Sequence, residues 1–177
     1  MALRSNEITY SAPEVGEHAA LRAMARESFA ATFGALYEAG PFGEFLDEAY
    51  GPGGSMDRDL GNPDVHWMVG FHRDEPVGYA KVTPLRAPAV GAAPGSVELQ
   101  QIYVLAEWHG RGVAVELVEW ALRTAVARRA PEIYLTVFDH NERAKRFYRR
   151  YGFAEVGRCT FALGDRVDDD RVWRREL

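Results

Sequence analysis

In the hexapeptide His109-Gly110-Arg111-Gly112-Val113-Ala114, residue types and spacing prescribe chemistry most directly. Two glycines let the backbone turn sharply with no Cβ in the way. An amphipathic helix follows, with Ala114, Leu117, Val118, Ala121, Leu122 and Ala125 at i, i+3, i+4, i+7, i+8 and i+11, one face of a 3.6-residue period. A helix that begins at such a turn aims several unpaired N–H groups, and the positive end of its dipole, at one point. That point suits a phosphate or pyrophosphate. Just before it, Leu99, Ile102, Tyr103, Val104 and Leu105 are apolar and β-favouring. Val97 to Leu122 therefore reads as a buried strand, a basic-glycine turn and a helix.

Other reactive residue types are sparse. His18, His66, His72 and His140 show no metal-ligand spacing with Cys159, so no metal is expected. A lone cysteine excludes an internal disulfide framework. Asp168-Asp169-Asp170 is either a solvated charge run or a patch that attracts a cation or an amine. Trp67, Trp108, Trp120 and Trp173 are read as packing residues.

The 177 residues are 47% hydrophobic and 27% charged, which describes one globular domain. A net charge of −5 argues against a nucleic-acid or anionic-membrane partner and favours a cationic substrate. No apolar run approaches the length of a membrane span. The opening MALRSNEITY has no apolar signal core, and a cytoplasmic location is the expectation.

The positioning elements follow in chain order. Ile8–Tyr10 is a first strand. Pro13 and Glu14 open a helix through Val15–Phe29, with Leu21, Met24, Ala25 and Phe29 on one face. Ala30–Tyr50 is predicted as two short helices broken at Gly40-Pro41. Gly51-Pro52-Gly53-Gly54 begins a loop, polar as far as Pro63. Val65–His72 and Val77–Thr83 flank Arg73-Asp74-Glu75-Pro76 and read as a hairpin. Leu85–Ser96, rich in Ala, Pro and Gly, is expected to be a mobile loop. After the central unit, Ile133–Phe138 is a strand. Asp139 or Asn141 caps a helix over Glu142–Arg150, which is expected to bury Ala144 and Phe147. Ala154–Leu163 and Arg171–Glu176 are the last strands. The sum is an α/β fold with a mixed, mostly antiparallel sheet and a β-α-β unit at its centre.

Two segments together carry a resemblance. The glycine turn is similar to the Q/R-x-x-G-x-G/A pyrophosphate loop of the GNAT superfamily of N-acetyltransferases, with Gly112 and Ala114 in the small positions and His109 where Gln or Arg is usual. Asn141-Glu-Arg-Ala144-Lys-Arg-Phe147-Tyr148-Arg-Arg-Tyr-Gly152-Phe153 resembles the signature N-x-x-A-x-x-F-Y-x-x-x-G-F of that superfamily at every fixed position. The likeness covers residues 65–177 well and the N-terminal part loosely. ELQQIYVL, the FALGD run (Phe161 to Asp165) and Asp170 look like the diamine/polyamine branch, which more often has Arg where Gln101 stands.

The resemblance implies a single acetyltransferase domain over residues 1–177, with helices of about 13–50 as the acceptor-side wall. It implies acetyl-CoA as co-substrate and no metal. Ile102, Tyr103 and Val104 would offer backbone groups to the pantetheine as an added strand would, and His109, Gly110, Arg111, Gly112, Val113 and Ala114 would cradle the pyrophosphate. The backbone near Tyr103 could hold the oxyanion. Asn141 would bond the pantetheine or sulfur region, or is a plain helix cap. Tyr148 would be the acid for the departing thiolate, with Phe147 taking the core, or is itself a core aromatic. Acyl transfer also needs a deprotonated amine, and at ~1.36 kcal/mol per unit an alkylamine of pKa ~10.4 is about 4–5 kcal/mol short of that at pH 7. Glu98 is the candidate base, or an ordinary strand carboxylate.

The function expected is transfer of an acetyl group to a primary amine of a small, polyamine-like molecule, directly within a ternary complex. A non-catalytic acyl-CoA sensor and a protein or peptide acetyltransferase are the alternatives. The partner expected is a small-molecule amine, with no nucleic acid and no membrane; a homodimer stays open.

Overall fold

In the computed structural model, residues 7–177 are described, and residues 1–6, which begin the segment read for a signal core, lie outside them. The first strand, β1, is Thr9–Ser11, and α1 covers His18–Phe33 after a single 3-10 turn at Val15–Glu17. This helix ends one turn later than Phe29, where the apolar pattern places its end. A second helix, α2, covers Ala39–Tyr50. Gly40-Pro41 therefore opens it instead of breaking it, because Pro is tolerated in a first turn, where its missing N–H has no partner to lose. The polar stretch before Pro63 holds a helix that periodicity did not show, α3 at Ser55–Leu60.

The strands follow as β2 (His66–His72), β3 (Glu75–Pro84) and β4 (Val97–Val104). The β2–β3 turn is only Arg73-Asp74, both at positive φ (50° and 68°), the twist that a two-residue hairpin needs. Then come α4 (Val113–Ala127), β5 (Glu132–Phe138), α5 (Glu142–Arg150), β6 (Ala154–Leu163) and β7 (Arg166–Glu176). The last strand starts five residues earlier than predicted, so Asp168, Asp169 and Asp170 lie inside a strand and not in a solvated run.

The seven strands form one sheet in the order β1-β2-β3-β4-β5-β7-β6. Every neighbouring pair is antiparallel except β4–β5. The fold is thus α/β with a mostly antiparallel sheet, as the sequence predicts. On one face α4 and α5 bury Leu117, Val118, Ala121 and Tyr148 against Val82, Leu99, Ile133 and Leu135. On the other, α1–α3 bury Leu21, Met24, Phe42 and Met56 against Trp67, Val69 and Tyr79. Gly78 lets the first turn of α4 approach β3: a Cβ there would meet Val113 Cγ1 at 3.0 Å.

The Leu85–Ser96 connection has no regular structure but is pinned. Glu98 Oε2 accepts from the Arg86 and Ala87 N–H groups (2.9 and 2.7 Å), and Glu132 Oε2 accepts from the Ala93 N–H and the Ser96 hydroxyl (3.0 and 3.1 Å). A buried ion cluster braces the same region, with Asp59 bonded to Lys81 (2.7 Å) and to both Arg86 amino groups (2.9 and 2.8 Å). No helix among the described residues is long and apolar enough to cross a membrane.

Candidate active site

The site is made where two strands part. Parallel pairing of β4 with β5 holds only at Val97↔Ile133 and Glu98↔Tyr134, beside an irregularity in the β3–β4 register at Lys81/Val82. Past Glu98 the two strands diverge and leave backbone groups of β4 without a ladder partner on that side. The opening is a cleft of about 1040 Å³ lined by Leu99 to Val104 from β4 and by Thr136 to Phe138 from β5. The glycine turn and α5 complete its walls.

At the glycine turn, Gly112 caps α4 at φ 86° and Gly110 stands at φ 74°. Both are left-handed values that L side chains adopt at a cost. No side chain caps α4, and its first intrahelical bond runs from the Glu116 N–H to the Gly112 carbonyl. The N–H groups before Glu116 therefore keep their unpaired positive end at the cleft, where Gly112 and Ala114 are part of the lining. A Cβ on Gly112 would stand in open space, with nothing within 4 Å.

His109 ties this turn to both walls. Its Nε2 bonds the Val104 carbonyl (2.8 Å) and its Nδ1 accepts from Arg143 on α5 (3.0 Å). A carbonyl only accepts and a guanidinium only donates, so the hydrogen sits on Nε2. Around this clasp Arg143, Arg146, Arg149 and Arg150 of α5 line the cleft. None of the four is ion-paired among the described residues, and no Asp or Glu shares the lining. The cleft of a net-acidic chain is therefore cationic, which suits a ligand with several phosphates. Sequence reading missed these arginines, although Arg143, Arg146 and Arg150 recur at i, i+3 and i+7. It also missed Ser28, Thr32 and Phe33, the part of α1 that reaches the cleft.

Nine of the predicted site residues meet at the cleft: Ile102, Tyr103, Val104, His109, Gly110, Gly112, Ala114, Asn141 and Tyr148. Val113 does not line it, because its side chain is buried in the core at 1% exposure. Arg111 turns outward and lies over the Trp108 ring, 5.0 Å away. Asn141 caps α5, its Oδ1 accepting from the Ala144 N–H (3.1 Å). Its amide N–H groups have no such duty.

The division of labour expected on α5 is corrected. Tyr148 is the buried one, at 8% exposure, against Phe153; Phe147 is half-buried on Tyr151. Ala144 is likewise only half-buried, and the buried pair is Lys145 and Tyr148. The ion pair of Lys145 with Asp139 (2.8 Å) makes burial of a lysine tolerable, and that rotates the helix face. Tyr148 still borders the cleft. Burial, helped by Tyr103, pushes its phenol far up, so it stays a hydrogen-bond donor at any working pH.

Glu98 lies outside the cleft lining, buried at 4% exposure, with the two loop N–H bonds described above. Burial pushes its carboxyl up, against those bonds and the charges of Arg86 and Lys81.

The family model for the acetyltransferase (GNAT) family matches residues 22–153. An uncharacterized N-acetyltransferase of Mycobacterium tuberculosis is 35% identical over 118 residues, which cover 67% of this chain and 71% of that one. The N-alpha-acetyltransferase RimI of the same species is 31% identical over 114 residues, 64% of this chain and 67% of that one. Among solved structures, the PaiA N-acetyltransferase of Thermoplasma acidophilum in complex with coenzyme A has the same fold (TM-score 0.74, 16% identity, 97% of this chain and 100% of that one). The chain belongs to the acetyltransferase (GNAT) family. It is an N-acetyltransferase.

Proposed function

We propose that the cleft binds acetyl-CoA and that the enzyme moves the acetyl group directly to a primary amine of a small molecule. The observation that carries this reading is the parting of β4 from β5 beside the uncapped N-terminus of α4. One end of the opening suits phosphates, and its edge suits an extended amide chain.

In this reading residues 1–177 form one catalytic domain. The backbone N–H groups at Gly112 to Ala114, with Arg143 and Arg146, hold the phosphates, while Gly110, Arg111 and Val113 contribute main chain. His109 holds the turn against Val104. Ile102 to Val104 bond the pantetheine, with the oxyanion near the Tyr103 backbone. Asn141 donates its free amide hydrogens towards the sulfur region. Tyr148 donates a hydrogen bond to the departing sulfur, and a phenol so weakly acidic gives more as a donor than as a proton source. Glu98 positions the Leu85–Ser96 loop; its two N–H bonds leave little freedom to act as a base. Helices α1 and α2 wall the acceptor side, a role supported for α1 by Ser28, Thr32 and Phe33 in the cleft lining. A cytoplasmic site of action fits the single free thiol, Cys159.

The test is thiol release from acetyl-CoA over a panel of spermidine, putrescine, 2-phenylethylamine, lysine and short peptides, with acetyl-CoA binding followed by calorimetry. Turnover of a small amine supports the reading. Turnover of peptides alone moves it to a peptide acetyltransferase, and binding without any turnover moves it to a sensor.

A further inference from the structure

The transfer needs a proton acceptor on the acceptor side of the sheet. Residues 168, 170 and 172 of β7 share one face, and Asp168 on that face bonds Tyr37 between α1 and α2 (2.6 Å). Asp170 therefore looks to the α1–α2 side. It is not part of the cleft lining itself but is directly across from Phe138, which lines the cleft, and from Cys159 on β6. Phe138 packs on Phe33 of α1, and Tyr103 packs edge-on to Phe29 of the same helix, so aromatic rings line the α1 side of the sheet next to Asp170.

The carboxylates near that side differ in what they already do. Glu98 accepts two backbone N–H groups. Asp168 is bonded by Tyr37 and by Arg166 (2.6 Å). Asp169 is exposed. Asp170 is half-buried and has no hydrogen bond or ion pair among the described residues. We infer that Asp170 takes the proton from the acceptor amine, and that the acceptor is a primary amine with one positive charge on an apolar body. This rests on the acetyl-transfer reading of the cleft.

The step balances as follows. The acceptor ammonium gives one proton to the Asp170 carboxylate. The freed nitrogen pair forms the N–C bond, the C–S bond breaks with its pair on sulfur, and the second nitrogen-bound proton ends on sulfur as the thiol. One uncompensated carboxylate among aromatic walls matches one positive charge, with cation–π contacts added. A polyamine would need several carboxylates.

The groups around Asp170 are Asp168 on the same face of its strand, Asp169 next to it in the chain on the other face, Cys159 on β6, Tyr103 on β4 and Tyr37 from the α1–α2 connection. Neutral Phe138 faces it from β5, with His140 beyond. No cation pairs with Asp170 among the described residues, and burial, then Asp168 and Asp169, push its carboxyl up to about 6. Its charge in turn pushes the Tyr103 and Cys159 hydrogens up, after burial. Against an amine of pKa ~10.4 transfer is still uphill, but a rise of about 2 units makes it about 100-fold less so than with an ordinary Asp.

The experiment compares wild type, Asp170→Asn and Asp170→Glu in thiol release from acetyl-CoA with 2-phenylethylamine and with spermidine, from pH 5.5 to 9. Wild type should prefer 2-phenylethylamine and show an acid limb in kcat/KM near pH 6. Asp170→Asn should lose about 100-fold in kcat/KM and lose the limb, with acetyl-CoA affinity within about twofold, and Asp170→Glu should recover part of the rate. An Asn variant within about threefold of wild type, or one that keeps the limb, overturns the proton role, and a preference for spermidine overturns the acceptor class. If wild type turns over neither amine, calorimetry of 2-phenylethylamine on the coenzyme A-loaded enzyme decides. Binding weakened about tenfold or more by Asp170→Asn supports the inference, and absent or equal binding ends it. Failure to bind acetyl-CoA at all is a separate readout that removes both readings.

Discussion

Replacing Asp170 by Asn should make the folded protein more stable at pH 8 while it impairs the reaction. The carboxyl moves from the ordinary Asp value of 3.8 to about 6 on folding, because burial and the charges of Asp168 and Asp169 disfavour its ionised form. Below about pH 3.8 the group is protonated in both states and Asp170 costs nothing. Between there and about 6 the unfolded chain ionises first, so the penalty grows; above about 6 it is complete. The full shift of about 2 units corresponds to about 3 kcal/mol at ~1.36 per unit. Asp170 is only half-buried, so solvent screening reduces this to about 1 kcal/mol. For a chain of this length that is about 2–4 °C in Tm. Scanning calorimetry of wild type and variant at pH 8 and at pH 4.5, without acetyl-CoA, reads it: the gain should appear at pH 8 and shrink markedly at pH 4.5. An Asn variant that is equally stable or less stable at pH 8 would show that Asp170 has partners in solution, and the idea of an unpaired carboxylate would fall.

Three other changes test two parts of the site and one part of the core. Tyr148→Phe should lower kcat by about tenfold to a hundredfold, the worth of one hydrogen bond to a developing charge, with acetyl-CoA affinity nearly unchanged; steady-state kinetics that show an unaltered kcat return Tyr148 to packing alone. Gly112→Val forces a β-branched residue to φ 86° and puts its side chain into the open space above the α4 N-terminus. Acetyl-CoA binding by calorimetry should weaken by at least about tenfold, and retained affinity would remove the phosphate role of the turn. Asp59→Asn leaves Lys81, whose side chain is 5% exposed, without its carboxylate. Unfolding in urea should show a loss of about 3–5 kcal/mol, and a loss below about 1 kcal/mol would mean that Lys81 is neutral.

Local pattern carried much of this protein into view. The apolar period from Ala114 to Ala125 announces α4, and glycines placed where the chain must turn left-handed announce its start. The alternating and continuous apolar runs announce β2 to β6. These features are legible because period and backbone permission are properties of neighbouring residues. α3 was not legible, because a six-residue helix with only Met56 and Leu60 apolar is too short to show a period. The burial of Lys145 was not either, because it depends on the ion pairs with Asp139 and Glu142.

The sequence by itself therefore determined the family, the sheet's composition, and the turn and signature that border the cleft. Tertiary structure alone decided what those residues can do. It parts β4 from β5 after Glu98, seats Glu98 on the Arg86–Ala87 backbone, and gathers Arg143, Arg146, Arg149 and Arg150 around a cleft without acids. It also leaves Asp170, the last of three identical neighbours, as the one of that run half-buried without a partner. The physical reason is that ionisation and hydrogen bonding depend on which groups from distant segments come within a few ångströms, and on how much water is left between them.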